Sequence, residues 1–219
     1  MGAVIAPAAT VACAIACGVL VAAEARGAMK LRAAAKLTAS AAFLVVGASV
    51  AGGSPFAGWI LAGLGCGAIG DLCLLGRGRR WFLAGLIAFL AGHLAYLAGL
   101  LLLVPAGRWP GAAGAYAALP LAVAAVALAR LWPRLGALRV AVIVYVAAIA
   151  AMVVGAIAAF RAGALPAPER SWLLAGAALF FVSDLAVARE RLVARDFLNK
   201  LWGLPAYYAG QLLIAWSIG

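Results

Sequence analysis

Charged residues are scarce in this chain, and acidic residues are the scarcest among them. Only 11% of its 219 residues are charged, 6 are Asp or Glu, and a single histidine is present. A soluble domain has about 25% charged residues and about 45–50% apolar ones, whereas 68% of this chain is hydrophobic. A soluble protein of this size could not bury so much apolar surface, so the composition indicates an integral membrane protein.

Other features that would indicate a different class of protein are also missing. The net charge is +11, but no basic cluster is interleaved with aromatic residues that could stack on bases, so we do not expect nucleic-acid binding. The four cysteines lie inside apolar runs without metal-ligand spacing, so we predict no disulfide, metal or cofactor. No Lys or Arg precedes the first apolar run, which argues against a signal peptide.

Long apolar runs predict an all-α polytopic membrane protein with eight transmembrane helices in a single domain over residues 1–219. One membrane-spanning helix needs about 20 apolar residues. Within the fifth run, we expect Pro120 to interrupt the helix, which membrane helices tolerate. The predicted spans are residues 4–23, 34–50, 56–75, 81–104, 111–130, 138–161, 171–188 and 202–219.

The basic residues predict the orientation of these spans. All but three of the 17 Lys and Arg residues fall on one side of the predicted membrane, and the exceptions are Arg108, Arg161 and Arg170. The positive-inside rule places the basic side in the cytoplasm, so both termini should lie outside. The Ala-, Leu-, Gly- and Arg-rich composition suggests a bacterial source, and hence the inner (cytoplasmic) membrane.

Two aspartates stand inside apolar runs at matched depth. Asp71 and Asp184 precede the basic residues of their loops by six and five positions, which places both roughly 7–9 Å inside the membrane boundary. Since a charged Asp at a helix centre costs about 2.5–3.5 kcal/mol on insertion, each must be neutralised by a nearby Arg or face a polar cavity. In a shared cavity the two carboxylates could not both ionise easily, so one would hold a proton.

Two further polar residues belong to this group of candidates. His93 lies roughly 20 Å deep by helical rise, with Tyr96 on the same face three residues later. We expect His93 to line the deeper end of the cavity, and its depth argues against a zinc site shared with the aspartates. Glu24 lies where the first span ends, and we expect an interfacial ion pair with Arg26 or Lys36.

Short matching motifs suggest an internal repeat. Gly-Asp at residues 70–71 precedes Ala-Gly-His-Leu at 91–94, and Ser-Asp at 183–184 precedes Ala-Gly-Gln-Leu at 209–212. Spans three–four and seven–eight would then form a parallel pseudo-repeat about an axis along the membrane normal. That axis would bring Asp71 and Asp184 face to face, with His93 and Gln211 beneath them.

These motifs, taken together, resemble the YhhN family of membrane proteins, the lysoplasmalogenases. The similar stretches are Lys36, residues 70–71, residues 89–96, residues 180–184 and residues 207–217. The resemblance covers nearly the whole chain and the eight-helix layout, and departs at Leu37, where the family usually has proline. It implies hydrolysis of the vinyl ether bond of lysoplasmenylethanolamine or lysoplasmenylcholine, with a fatty aldehyde and a glycerophospho-headgroup as products.

The candidate residues fit such a reaction on a lipid substrate. An aspartate pair sharing one proton would supply an acid, a counter-anion and a base, so we predict Asp71 and Asp184 as the catalytic residues in either order. Lys36, as the start of the second span, is the best phosphate ligand, with Arg80 among the nearby arginines. The fatty chain should run deeper, past His93, Tyr96, Tyr208 and Gln211. The full set of predicted substrate-binding residues is Lys36, His93, Tyr96, Ser183, Tyr208, Gln211, Glu24 and Arg80.

Three other functions stay open from the sequence. Intramembrane Asp and His residues are common in proton relays, so a proton-coupled lipid transporter or flippase is one alternative. An intramembrane aspartyl protease also uses two membrane aspartates, although the Gly-x-Gly-Asp form is absent before Asp71. A lipid-binding protein without catalytic activity is the third.

Overall fold

The computed structural model describes residues 2–219, with side chains from residue 4 onward, and this part of the chain is helical without strands. Short 3-10 turns flank α5 and α6. The helices are α1 (Gly2–Arg26), α2 (Met29–Val50), α3 (Pro55–Leu75), α4 (Arg79–Leu103), α5 (Trp109–Ala113), α6 (Ala118–Leu131), α7 (Arg139–Arg161), α8 (Ala167–Leu192) and α9 (Phe197–Trp216).

The helices confirm an integral membrane protein. In the described residues, seven segments are long and apolar enough to cross a membrane, and the fifth runs through α5 and α6 from Ala106 to Arg134. The predicted eighth span, α9, is not among the seven, because Asn199, Lys200 and Gln211 lower its hydropathy. It nevertheless packs against α1, α2 and α8 as part of the bundle.

We predicted that the fifth span is interrupted at Pro120. The structure shows the break at Gly114 instead. Gly114 has a φ of +53°, a left-handed conformation that side chains with a Cβ rarely adopt. The chain passes through a 3-10 turn and α6 begins at Ala118. Pro120 therefore lies in the first turn of α6, where backbone N–H groups have no helical partner for proline to remove.

The second helix begins earlier than the apolar pattern predicts. α2 starts at Met29, and only residues 27–28 separate it from α1. Gly27 allows this tight turn because it adopts a φ of +66°. Lys36 therefore lies about two turns inside α2 and is buried, so the prediction that it starts a helix is wrong.

Neighbouring helices pack as hairpins, most extensively α1 with α2, α3 with α4 and α8 with α9. Glycines allow the closest of these approaches. A Cβ on Gly176 in α8 would lie 2.8 Å from the backbone carbonyl oxygen of Gly210 in α9, as is common where small residues bring membrane helices together. The repeat that relates α3–α4 to α8–α9, and the orientation of the termini, stay predictions.

Candidate functional site

A cavity of about 620 Å³ extends into the bundle from the end where α1, α3 and α8 terminate. Its inner walls are mainly apolar and include Phe89, Val142 and Ile149. Asp71 and Asp184 both line it, as do Ser183 and Tyr207. The charged residues at its mouth are Glu24, Glu190, Arg32, Arg77, Arg191, Arg195 and Lys200.

Asp71 is held by three side chains from α2 and α9. Its Oδ1 forms an ion pair with the ammonium of Lys36, and its Oδ2 accepts hydrogen bonds from Ser40 Oγ at 2.7 Å and Tyr208 Oη at 3.2 Å. Asp71 is 2% exposed and Lys36 5%. Since breaking a buried ion pair is costly, the pairing of Lys36 with Asp71 argues against a phosphate on Lys36, and that role stays a prediction.

Asp184 has a different set of partners. Its Oδ2 accepts a hydrogen bond from Tyr145 Oη at 2.8 Å, and His93 Nε2 lies 3.5 Å from the same oxygen. Among the described residues, no Lys or Arg forms an ion pair with it. No described hydrogen bond joins Asp184 to Asp71 either, so the expected proton shared directly between them has no support in the geometry.

The sequence interpretation missed Tyr145, although a signal was present. Tyr145 is the only polar residue between the terminal arginines of α7, and a lone hydroxyl in an apolar helix usually needs a partner. Ser40 was also missed. It follows Lys36 by four residues, which places both on one face of α2 towards Asp71.

His93 is fully buried next to Asp184, against our estimate of its depth. Its ring packs against Phe180 and Tyr145 at centroid distances of 4.5 and 5.1 Å, and neither ring nitrogen has a hydrogen-bond partner within the described residues. The estimate counted residues from each loop as if all helices ran upright from one level. Tilted helices and loops of unequal length change the depth at which a given residue lies, so such a count does not fix the depth of His93 relative to Asp184.

Tyr96, Tyr208 and Gln211 lie behind the cavity wall and not along an open path. Tyr96 Oη donates a hydrogen bond to Gln211 Oε1 at 2.7 Å, and Gln211 Nε2 donates one to Tyr207 Oη at 3.3 Å. Tyr96, Tyr208 and Gln211 are at most 1% exposed, and like His93 they do not line the cavity. Side chains fill the space along the route past these residues, so the path of a fatty chain there stays a prediction.

Charged residues at the mouth form ion pairs and contacts with partners other than those we predicted. Glu24 pairs with Arg32 at 2.7 Å and with Lys200 at 2.9 Å, and not with Arg26 or Lys36. Arg80 lies outside the cavity, with its guanidinium 5.9 Å from the ring centre of Trp81, which places it away from a ligand bound there.

Ser183 belongs to the cavity, but its hydroxyl is already used. Its Oγ donates a hydrogen bond to the carbonyl of Phe180 at 2.8 Å.

For metals, no group of three His, Cys, Asp or Glu side chains in the part of the chain that the structure describes is placed to hold an ion.

Comparison with known proteins identifies one family. A scan against models of protein families matches the YhhN family over residues 31–218, nearly the whole chain. Searches of curated proteins and of solved structures gave no match.

Proposed function

The chain belongs to the YhhN family, and from this premise we propose that it is a membrane hydrolase that cleaves the vinyl ether bond of lysoplasmalogens. Family membership is consistent with a lysoplasmalogenase-like membrane protein. The observation that carries the proposal is that Asp71 and Asp184 line one cavity between an arginine-rich mouth and apolar walls. That arrangement fits a lipid with one aliphatic chain, one phosphate and a reactive bond between them.

The proposed reaction consumes one water and needs no oxidant. A proton is added to the β-carbon of the vinyl ether, which leaves an oxocarbenium ion. Water adds to this cation and loses a proton, and the resulting hemiacetal breaks its bond to the glycerol oxygen. The hemiacetal hydroxyl loses its proton as the aldehyde forms and leaves, and the glycerol oxygen takes up a proton. The site must therefore supply a proton donor, a negative charge near the cation and a base for water.

The different surroundings of the two aspartates support a division of roles. Asp184 has no Lys or Arg partner among the described residues, and Tyr145 orients one of its oxygens, so we assign it the proton donor role. Asp71 forms an ion pair with the Lys36 ammonium, so we assign its negative charge to the cation and to the attacking water. Carboxyl groups in contrasting environments are a common basis for separate acid and base roles.

Arginines at the mouth are the best candidates for the phosphate. Arg77, Arg191 and Arg195 line the mouth and form no ion pair with any residue that the structure describes. A guanidinium can bind phosphate with two parallel hydrogen bonds. A phosphate held there would place the vinyl ether, next to the glycerol, further inside. The positive-inside rule assigns this end to the cytoplasm of an inner membrane.

Aldehyde release from a lysoplasmalogen tests the proposal directly. Purified protein in detergent receives lysoplasmenylethanolamine, with Asp71→Asn, Asp184→Asn and Glu169→Gln run in parallel. Glu169, in the first turn of α8, serves as the matched control because it does not line the cavity. We expect aldehyde from the wild type and Glu169→Gln, and a loss of about 100-fold or more from either Asp variant, because acid–base catalysis contributes about 10²–10⁴-fold.

The same assay contains the outcomes that would overturn the proposal. No aldehyde from folded wild-type protein would reject the hydrolase, and transport of the lysolipid across vesicles or peptide cleavage would then identify the flippase or the protease. Full activity in both Asp variants would reject the assigned roles. An EDTA-treated sample shows whether a metal takes part.

A further inference from the structure

We infer that the aliphatic chain of the ligand lies in a lateral cleft between α4 and α6–α7, on the lipid-facing side of the cavity. The inference rests on the proposed function for the identity of the lipid and extends it to the chain-binding part of the same site. One wall of the cleft is formed by Phe82, Leu86 and Phe89 of α4. The other wall is formed by Ala124, Ala127, Leu131, Val142, Val146 and Ile149.

The wall contributed by α6 has small side chains where a chain would lie. Ala124, Ala127 and Leu131 share one helical face, three and seven residues apart. Elsewhere on α6, Leu121 and Val126 are each 51% exposed, and Ala122, Ala125 and Ala129 are exposed as well. The short side chains of Ala124 and Ala127 leave room for an aliphatic chain beside this face of α6.

We expect the cleft to open towards the bilayer between α4 and α6. α4 and α6 each pack against α7, and no comparable packing joins α6 to α4, although all three helices line the cavity. A lipid chain can therefore enter sideways from the membrane without passing through water. It would exchange one apolar environment for another, and the contacts at the mouth and the aspartates would select the ligand.

The interior route past His93 and Gln211 offers no comparable space. His93, Tyr96 and Gln211 do not line the cavity, and the Tyr96–Gln211 hydrogen bond is 2.7 Å long. A chain inserted there would break hydrogen bonds between buried polar groups, which leaves costly unpaired atoms. A chain bound in the cleft would break no hydrogen bonds of this kind, because the walls of the cleft are apolar.

The cleft also leads directly to the proposed proton donor. Tyr145, which donates a hydrogen bond to Asp184, lies on the same face of α7 as Val142 and Ile149. Ile149 is one helical turn, or about 6 Å, beyond Tyr145. A chain that extends along this face therefore begins beside Asp184, where the vinyl ether would lie.

Photolabelling with a lipid that cannot be cleaved tests the location of the chain. The probe is a saturated 1-alkyl ether lysophosphoethanolamine with a diazirine at the chain end, and labelled residues are mapped by mass spectrometry. We expect labelling of the α6–α7 wall that excess unlabelled lipid suppresses. Ala127→Phe fills the cleft and should reduce this suppressible labelling at least fivefold. Ala125→Phe, on the exposed face of α6, should leave it unchanged.

Val142→Phe blocks the cleft from α7, so the test does not depend on one variant folding. Suppressible labelling around Tyr96 and Gln211, no suppressible labelling in the cavity, or equal effects of Ala125→Phe and Ala127→Phe would each overturn the inference. Labelled cleft walls without aldehyde release would keep the chain site and reject the hydrolase. Aldehyde release together with suppressible labelling around Tyr96 and Gln211 would keep the hydrolase and reject the chain site in the cleft.

Discussion

Removing the Lys36 ammonium should destabilise the protein far more than removing an exposed lysine from the same helix. Lys36 is 5% exposed and faces Asp71, which is 2% exposed. In Lys36→Met the buried carboxylate keeps only its hydrogen bonds from Ser40 and Tyr208. Loss of one partner from a buried ion pair costs about 3–5 kcal/mol of folding free energy.

This free energy converts into a measurable shift in melting temperature. For a chain of this size each kcal/mol lowers Tm by about 2–4 °C, so Lys36→Met should lose about 6–20 °C. The assay is thermal unfolding in detergent, followed by tryptophan fluorescence. Lys30→Met is the matched control, since Lys30 is exposed in the first turn of α2, and its effect should stay within about 2 °C.

A double variant separates the ion pair from other effects of the substitutions. Lys36→Met combined with Asp71→Asn removes both charges and leaves an amide that Ser40 and Tyr208 can still contact. Its loss of stability should therefore be smaller than the sum of the two single losses. Equal Tm values for Lys36→Met and Lys30→Met, or strictly additive losses, would refute the buried pair and leave Lys36 free for a phosphate.

Two further substitutions test the site and the helix packing. Tyr145→Phe removes the hydrogen-bond donor to Asp184, so aldehyde release should fall roughly 5- to 150-fold, the equivalent of about 1–3 kcal/mol. The control is Tyr116→Phe, which changes an exposed ring and should release aldehyde at the wild-type rate. Equal rates in the two variants would contradict a role for the Tyr145–Asp184 hydrogen bond. Gly176→Ala places a Cβ 2.8 Å from a backbone carbonyl oxygen of α9, so Tm should fall by about 2–12 °C, from about 1–3 kcal/mol of overpacking. Gly65→Ala meets no atom within 4 Å and should not lower Tm; matching losses in the two alanine variants would argue against the close approach.

The membrane class and most of the spans could be predicted because transfer into lipid depends on residue type and run length. The element boundaries were less predictable. The start of α2 at Met29 and the break at Gly114 depend on local turn conformations, and an apolar profile does not distinguish these from neighbouring positions.

The two aspartates could also be found from the sequence, because an acid inside an apolar run must be paired, hydrogen-bonded or solvated. The side chains that pair with these aspartates could not be predicted from the sequence. Lys36 and Asp71 are 35 residues apart in the chain, and Tyr145 and Asp184 are 39 apart. Which side chains meet across such separations depends on how each helix is rotated and tilted against its neighbours.

The sequence by itself determined that this chain enters a membrane as helices and that Asp71 and Asp184 need polar surroundings. Only the tertiary structure decided that Lys36 neutralises Asp71, that Tyr145 and His93 adjoin Asp184, and that both aspartates line one cavity. The physical reason is that partition into lipid is nearly a sum over residues. Pairing and open space depend instead on the relative positions of whole helices.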